Sequence, residues 1–324
     1  MIVDLTLTDD QQMIDDAARA FLRDHLPIER LRSPENAGGA AERALWSDLC
    51  DLGLFGLGVA ESLGGLGLGL PEEALVARAL GSHLASPSLL AQVAAPHLAE
   101  SEVIRTALIA GVARTAFANR RDAQTAHLLD GEGAAHILFL DDAGGATLPP
   151  RDALGPAEPV GAIDETVALA RLPTDRARAV HSANADRISL LIAAYLTGIA
   201  QAATSMAVDY AQIRQQFGQP IGAFQAIKHQ CADMATRAAA AEAQVFHAAV
   251  TYGHRPDDGA EIAAACMLAT GAALANARAN IQIHGGMGFT AECDAHLLLK
   301  RAHVMAELGG GLRTQRRRLL PVDL

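Results

Sequence analysis

Aromatic side chains are scarce in this sequence of 324 residues: they make up 4% of it, with one Trp and three Tyr. Ala, Leu, Val and Ile must therefore fill the core, and most of this mixture favours helices. Half of the residues are hydrophobic and 19% are charged, which excludes the composition of a disordered chain. We expect a mainly helical, folded protein, and the length predicts two or three domains.

Positive charge is also in deficit, because 26 Lys and Arg face 37 Asp and Glu and the net charge is −11. A nucleic-acid surface would have to overcome that field, so we expect no DNA or RNA partner. The first ten residues lack a basic segment followed by an apolar core, so we expect no secretory signal and a cytoplasmic location. The most apolar run, 188–200, falls short of the roughly 20 residues that span a bilayer and predicts a buried helix.

The sequence lacks the residue spacings of metal, disulfide and hydrolase sites. Four cysteines form no C-x-x-C pair, which suggests neither a zinc site nor a disulfide framework: Cys50, Cys231, Cys266 and Cys293. His296 and His303 have no acidic or thiol companion at metal spacing, so we predict no metal. No Ser-His-Asp or Cys-His context is evident, which argues against a hydrolase.

Helical patterns dominate the first part of the chain. Residues 8–25 read as an amphipathic helix with a capping box formed by Thr8 and Gln11. A second helix is predicted over 41–52, ended by Gly53. The glycine-rich segment 61–71 lacks the Gly-Lys-Ser/Thr ending of a P-loop, and we interpret it as a loop between helices rather than a nucleotide site.

The residue pattern changes from helical to strand-like between about residues 105 and 180, where short β-like runs at 134–140 and 166–170 lie among turn residues. Helical patterns return afterwards. Three long segments, 186–216, 224–252 and 259–283, predict an antiparallel bundle. The predicted domains are therefore helical at 1–104, β at 105–180 and helical again at 181–324, a mainly α fold with a small β domain.

Two C-terminal segments resemble signatures of the acyl-CoA dehydrogenases: 210–225 (YAQIRQQFGQPIGAFQ) and 281–290 (IQIHGGMGFT). The segment 52–61 (LGLFGLGVAE) and the glycines after it are similar to the family's first domain. The resemblance implies a helical N-terminal domain, a middle β domain and a C-terminal four-helix bundle, with FAD held at a subunit interface. It also implies α,β-dehydrogenation of an acyl-CoA thioester, in which a carboxylate takes the α-proton and the flavin takes the β-hydride.

The same resemblance implies the cofactor contacts. Arg214 would meet the FAD pyrophosphate, where a guanidinium fork pairs two phosphate oxygens. Phe217 and Gln225 would lie beside the cofactor. Five further residues would reach it from the partner subunit: Gln282, Ile283, His284, Gly285 and Gly286.

The catalytic base of the family pattern is missing, because Gly309 stands where much of the family has Glu. Glu307 lies two residues away, and two residues turn a side chain by about 200° on a helix. A minority of the family places its base just before an Arg at the start of the bundle's first long helix. Asp186, which precedes Arg187, matches that position, and the alternative is that Asp186 caps the helix.

The middle domain departs further from the family. It is short, and it lacks a Thr-Glu-Pro followed by Gly-Ser-Asp and a Trp-x-Thr-Asn stretch. The segment 292–302 is similar to compact subunits that pair with a fuller acyl-CoA dehydrogenase in sterol and bile-acid side-chain degradation. The implied assembly is a homodimer or homotetramer, or a heterotetramer in which this chain is catalytically silent and completes a partner's site. The basic run 316–318 either meets CoA phosphates or is a solvated helix face.

Overall fold

The computed structural model describes residues 4–141, 145–174, 183–254, 258–308 and 311–320. Gly309 and the end of the predicted middle domain, 175–180, lie outside the described residues. The α-helices within the described ranges are α1 (Asp9–His25), α2 (Ala40–Ala44), α3 (Trp46–Asp51), α4 (Leu70–Ser82), α5 (Pro87–Ala94), α6 (Glu102–Ile109), α7 (Ala183–Ile213), α8 (Gln225–Thr251), α9 (Asp258–His284), α10 (Ala295–Ala306) and α11 (Gly311–Leu319). The strands are β1 (Thr115–Arg120), β2 (Thr125–Leu129), β3 (His136–Leu140), β4 (Ala146–Thr147), β5 (Glu158–Val160), β6 (Leu169–Pro173), β7 (Gln215–Gln216) and β8 (Gln219–Pro220). The expected fold class, mainly α with a small sheet, is confirmed.

The capping box at the start of α1 forms as the sequence predicts. The Thr8 hydroxyl accepts from the backbone N–H of Gln11 at 3.2 Å, and the Gln11 side chain accepts from the backbone N–H of Thr8 at 3.1 Å. These bonds satisfy backbone donors that a helix start otherwise leaves unpaired. The glycine-rich segment after α3 contains a 3-10 turn and a loop that leads into α4.

The single helix predicted over 41–52 is instead two short helices, α2 and α3. Leu45 leaves helical geometry between them, with φ −102° and ψ 14°. After this break, the indole N–H of Trp46 donates to the carbonyl of Gly111 at 3.0 Å. The bond gives the indole N–H a hydrogen-bond partner 65 residues away in the chain.

The sheet has the strand order β4-β3-β1-β2-β6-β5, in which only β1 and β3 run parallel among the described strands. The predicted strand at 134–140 is β3. The strand predicted at 166–170 begins later, as β6, because the Asp164 carboxylate accepts from both the backbone N–H and the hydroxyl of Thr166 and forms a turn there. The sequence analysis did not predict β1 and β2, whose Ala, Asn and His residues are poor strand signals.

The long helices α7, α8 and α9 pack together, and α4 lies against α7 at very short range. A Cβ atom built on Gly81 would lie 1.9 Å from the Tyr195 carbonyl oxygen, and one on Gly198 would lie 2.0 Å from the Arg78 carbonyl oxygen. Glycine is therefore required where these two helix backbones meet. Windows of α7 and α9 are apolar enough to span a membrane, but 67% and 56% of those windows are buried inside the fold. The burial of 188–200 confirms the predicted core helix.

Arg301 of α10 joins three parts of the chain through one buried guanidinium group. It donates to the Asp164 carboxylate at 2.7 Å, beside the sheet, and to the Tyr195 hydroxyl of α7 at 2.9 Å. It also donates to the carbonyls of Leu84 and Ala85 between α4 and α5. These bonds fix α10 between the sheet and the bundle.

Candidate functional site

The two C-terminal signature segments meet at one end of the bundle. The ring of Tyr210, one turn before the end of α7, stacks on the ring of His284 at the end of α9, with centroids 4.1 Å apart. His284 Nδ1 lies 2.9 Å from the Asn280 carbonyl, which fixes the imidazole in place. The stack places the segment that follows α7 beside the segment that follows α9.

Arg214 begins the connection from α7 to α8. Its side chain is exposed and makes no hydrogen bond or ion pair within the described part of the chain. The next residues form the β7–β8 hairpin, whose turn residues Phe217 and Gly218 have φ of 53° and 80°. A two-residue turn with positive φ at both positions matches the twist of a hairpin. This turn leaves the Phe217 ring 92% exposed.

The chain after α9 is equally open. Gln282, Gly285 and Gly286 are exposed, and no atom lies within 4 Å of a Cβ built on either glycine. Ile283 and His284 are buried, so their side chains belong to the core. We call the exposed set the bundle-end surface; it consists of Arg214, Phe217, Gln225, Gln282, Gly285 and Gly286.

Large apolar side chains surround the bundle-end surface. Ile213 and Phe289 are each 76% exposed, and Met287 is 50% exposed. Scattered exposed apolar residues are ordinary, but a group of them beside an exposed Phe is typical of a surface that another molecule covers.

Asp186, the first candidate base, lies within the first turn of α7 rather than before the helix. Its carboxylate forms an ion pair with the Arg318 guanidinium of α11, and the two side chains are only 15% and 18% exposed. The neighbouring thiol of Cys266 is buried, and burial raises its pKa to about 12, so it stays protonated. The cavity beside Cys266 has a volume of about 20 Å³, enough for one water molecule.

Glu307, the second candidate base, lies in a different place, at the mouth of a cleft between the sheet and α10. The cleft has a volume of about 280 Å³. Asn119 of β1 donates to the Glu307 backbone carbonyl at 2.8 Å, and the Arg121 guanidinium lies 3.2 Å from its carboxylate. His127 lines the same cleft, and burial lowers the pKa of its imidazole.

The sequence analysis missed Asn119, Arg121 and His127 because they are far from Glu307 in the chain. No sequence signal marks them, since only the pairing of β1 with β2 brings Arg121 and His127 to the same cleft. The sequence marks Arg318 only as part of a basic run and indicates no partner for it. The structure thus separates the two candidate bases: Asp186 faces α11, and Glu307 faces the sheet.

Family comparison agrees with this architecture. Residues 177–320 match the model of the acyl-CoA dehydrogenase C-terminal domain, and residues 8–106 match that of the N-terminal domain. The acyl-CoA dehydrogenase IpdE2 of Mycobacterium tuberculosis is 34% identical to this chain over 97% of its length and 98% of the relative. The chain belongs to the acyl-CoA dehydrogenase family. The resemblance identified from the sequence is therefore confirmed, and the protein is a member of a family of oxidoreductases that are FAD-dependent flavoproteins.

Two solved structures have the same fold. The chain is similar to one in the structure of the steroid acyl-CoA dehydrogenase Tcur3481-Tcur3483, with a TM-score of 0.80 and 25% sequence identity. The alignment covers 97% of each of the two chains. A chain of the ChsE4-ChsE5 complex of Mycobacterium tuberculosis is similar in the same way, with a TM-score of 0.78 and 22% sequence identity. The alignment covers 98% of each of the two chains.

The residues of the bundle-end surface are of types that suit a cofactor with a diphosphate, such as FAD. Arg214 is a cation without a partner among the described residues, which suits a diphosphate. The open space over Gly285 and Gly286 allows a ligand to approach the backbone closely. Phe217 offers an exposed flat ring. These residues fit one side of a cofactor site, and nothing in the described chain covers the other side.

Proposed function

We propose that this chain is a subunit of an FAD-dependent acyl-CoA dehydrogenase that removes hydrogens across the α,β bond of an acyl-CoA thioester. We propose further that its bundle-end surface is one wall of a flavin site that another subunit completes. The observation that carries the proposal is the exposure of this surface: Phe217 is 92% exposed, Arg214 has no side-chain hydrogen bond or ion pair among the described residues, and Gly285 and Gly286 are open. A site made of such residues needs a second wall.

Each residue of the surface has a definite role in this proposal. Arg214 binds the diphosphate of FAD through its guanidinium fork. Phe217 and Gln225 lie along the cofactor. Gln282, Gly285 and Gly286 present backbone and amide groups to the same cofactor from this chain, and not from a partner subunit as the resemblance implies; the Tyr210–His284 ring stack, which brings the two segments together, supports this assignment. FAD, when bound, supplies the hydride acceptor for the β-carbon. Phe289 and Ile213 pack against the second subunit and exclude water.

The α-proton needs a carboxylate, and this chain offers two. Asp186 serves as the base of this subunit only if Arg318 moves, because the ion pair neutralises the carboxylate. Glu307 is more accessible, with a side chain 66% exposed, and it lies in the larger cleft.

A second candidate function is that this subunit supplies no base and completes a partner's catalytic site. The Asp186–Arg318 ion pair favours this second function, because it occupies the carboxylate. The cavity beside Cys266 is also too small for an acyl chain, at about 20 Å³. Asp186→Asn and Glu307→Gln variants, each assembled with the partner, separate the two functions. Loss of substrate-dependent flavin reduction in one variant identifies the base, whereas full reduction in both assigns the base to the partner.

The proposed substrate class is a steroid-derived acyl-CoA. The support is the similarity to the steroid enzyme Tcur3481-Tcur3483, together with the segment 292–302 that resembles compact steroid-type subunits. The measurement is flavin reduction by a steroid side-chain acyl-CoA against a straight-chain acyl-CoA of equal carbon number. Equal rates for both would contradict the steroid assignment and leave the dehydrogenase proposal standing.

The decisive experiment measures flavin per protein for the chain alone and for the chain co-expressed with a longer acyl-CoA dehydrogenase of its own organism. We expect little flavin alone and a stoichiometric amount in the complex. Arg214→Gln should lower the flavin affinity of the complex at least tenfold. Arg23→Gln, which removes an arginine that is 69% exposed on α1, is the matched control and should bind flavin normally. A full complement of flavin in the isolated monomer would contradict a shared site.

A further inference from the structure

The last helix, α11, is held on its inner face mainly by polar groups. Thr314 and Gln315 are buried there, at 8% and 5% exposure, and Arg318 pairs with Asp186 of α7. Both leucines of α11 are only partly buried. Burial of apolar surface is the main force that fixes a helix against its neighbours. α11 packs along α9 with little of this stabilisation.

The polar contacts of this inner face are incomplete. Gln315 Oε1 and Arg318 Nη1 are both buried, and neither atom has a hydrogen-bond partner among the described residues. A buried polar atom without a partner has lost its hydration and gained no bond in return. Both atoms would regain hydrogen bonds to water if α11 moved away. The docked position of α11 therefore carries a free-energy penalty that its opening removes.

The first turn of α7, which carries the carboxylate of the ion pair, is held firmly. Asn184 donates to the His97 carbonyl at 2.7 Å, and Arg187 pairs with the Glu73 carboxylate of α4. His97 Nε2 lies 2.6 Å from the same carboxylate, whose side chain is 1% exposed. These contacts anchor the first turn of α7 on the N-terminal helices. If the ion pair breaks by a movement, α11 is the part that moves.

The start of α11 permits such a movement. The helix begins at Gly311, which has φ of 62° and is the last of three consecutive glycines in the sequence. Glycine changes its backbone angles at less steric cost than any other residue. The cavity of about 20 Å³ lies against the inner face of α11, where Gln315, Cys266 and several apolar side chains line it. Movement of α11 would open this space to solvent.

We infer that α11 is a removable cover, which opens as a unit while the rest of the chain stays folded. The closed cover holds Asp186 in its ion pair, and the open cover frees that carboxylate and exposes the Cys266 thiol. The buried hydrogen bonds of Arg301 involve no residue of α11, so the cover opens without breaking them. The opening itself is independent of the proposed function. Only its consequence, that Asp186 accepts a proton in the open state, rests on that function.

The test measures how fast N-ethylmaleimide modifies Cys266 in the isolated chain, with peptide mass spectrometry to follow each cysteine separately. A buried thiol reacts only from conformations that expose it, so the rate reports how often the cover opens. Well below the unfolding transition, the rate should depend only weakly on urea. Arg318→Met should raise it at least tenfold, and Arg318→Lys should raise it less. A rate with the same urea dependence as global unfolding would overturn the inference.

Arg32→Met is the matched control, because it breaks another ion pair between distant residues, in which Arg32 donates to Asp294 at 2.7 Å. It should leave the modification rate of Cys266 unchanged. Equal acceleration by this control would mean that general destabilisation exposes the thiol, and would overturn the inference.

The role of the ion pair is tested by a double-mutant cycle. Asp186→Asn should accelerate the modification of Cys266 as Arg318→Met does, and the two changes together should add little, because both remove the same contact. Fully additive effects would contradict the pair as the contact that keeps the cover closed.

Hydrogen exchange provides a readout that does not rely on variants. The amides of 312–319 should exchange through one shared opening, and at least tenfold faster than the protected amides of α10. Equal protection of α10 and α11 would overturn the inference. Neither measurement requires flavin or a partner subunit, so its outcome is independent of the outcome for the proposed function.

Discussion

The Arg318 guanidinium pairs with the Asp186 carboxylate, two groups that are 132 residues apart in the chain and largely buried. Arg318→Met should destabilise the protein by about 2 kcal/mol, because it leaves a mostly buried carboxylate without its partner. Urea unfolding measures this change. The double change Asp186→Leu with Arg318→Met should recover part of the loss, since it removes both charges. A single Arg318→Met variant as stable as wild type would contradict a structural role for the pair.

Asp130 predicts a pH-dependent contribution to stability. Burial raises the pKa of this carboxyl to about 6, against the hydrogen bond from Ser86, which lowers it. The pKa of Asp130 in the folded state lies above its value of about 3.9 in the unfolded state, so the folded state binds the proton more tightly. The protonated carboxyl therefore stabilises the fold at low pH, and this contribution falls as the pH rises from about 4 to 6. Thermal unfolding of wild type and Asp130→Asn between pH 4 and 7 measures it. The wild type should lose stability relative to the variant across that window, and parallel curves would contradict the assignment.

Phe217 should matter for assembly and very little for the fold of one chain. Its ring is 92% exposed, so Phe217→Ala should change the free energy of unfolding of the isolated chain by less than about 0.5 kcal/mol. The same variant should weaken the complex with a flavin-bearing partner severalfold, as sedimentation equilibrium would show. Leu63→Ala, at a residue 44% exposed in the N-terminal part, is the control and should leave the complex intact. Destabilisation of the isolated chain would mean that the ring packs within it.

The close contact between α4 and α7 can be tested by comparing an alanine variant of a glycine at the contact with one of a glycine elsewhere. Gly81→Ala should destabilise the protein by at least about 3 kcal/mol, because the added methyl would lie 1.9 Å from the Tyr195 carbonyl oxygen and force the helices apart. Gly271→Ala is the control within α9, where nothing lies within 4 Å of the new Cβ. That change should stabilise the helix by about 0.5–1 kcal/mol. Denaturant titration of both variants measures the difference, and similar effects at the two positions would contradict the close approach.

The sequence predicts the long elements well because their signals are local. The capping box of Thr8 and Gln11 depends on residues three apart, and the bundle helices carry long helical patterns. Hydrophobic periodicity indicates neither the break at Leu45 nor the Asp164–Thr166 turn that delays the start of β6. Local turn bonds thus shorten an element that the residue pattern alone predicts.

The candidate site divides in the same way. The resemblance to the family signature implies Arg214 and Phe217 as cofactor contacts, and both residues are exposed in the structure. The ion pair that holds Asp186 was not predictable, because Arg318 belongs to a helix whose inner face is known only once it packs. Arg121 and Glu307 meet because the sheet and α10 come together, which no sequence motif indicates.

The buried guanidinium of Arg301 couples the stability of the sheet to the stability of both helical regions. One side chain satisfies acceptors beside β6, on α7 and between α4 and α5, and the residues that carry those acceptors are buried. If any one region separated, buried polar groups in the other two regions would lose their hydrogen-bond partners. The chain should therefore unfold in a single cooperative transition, and a protease should not release a stable bundle fragment from it.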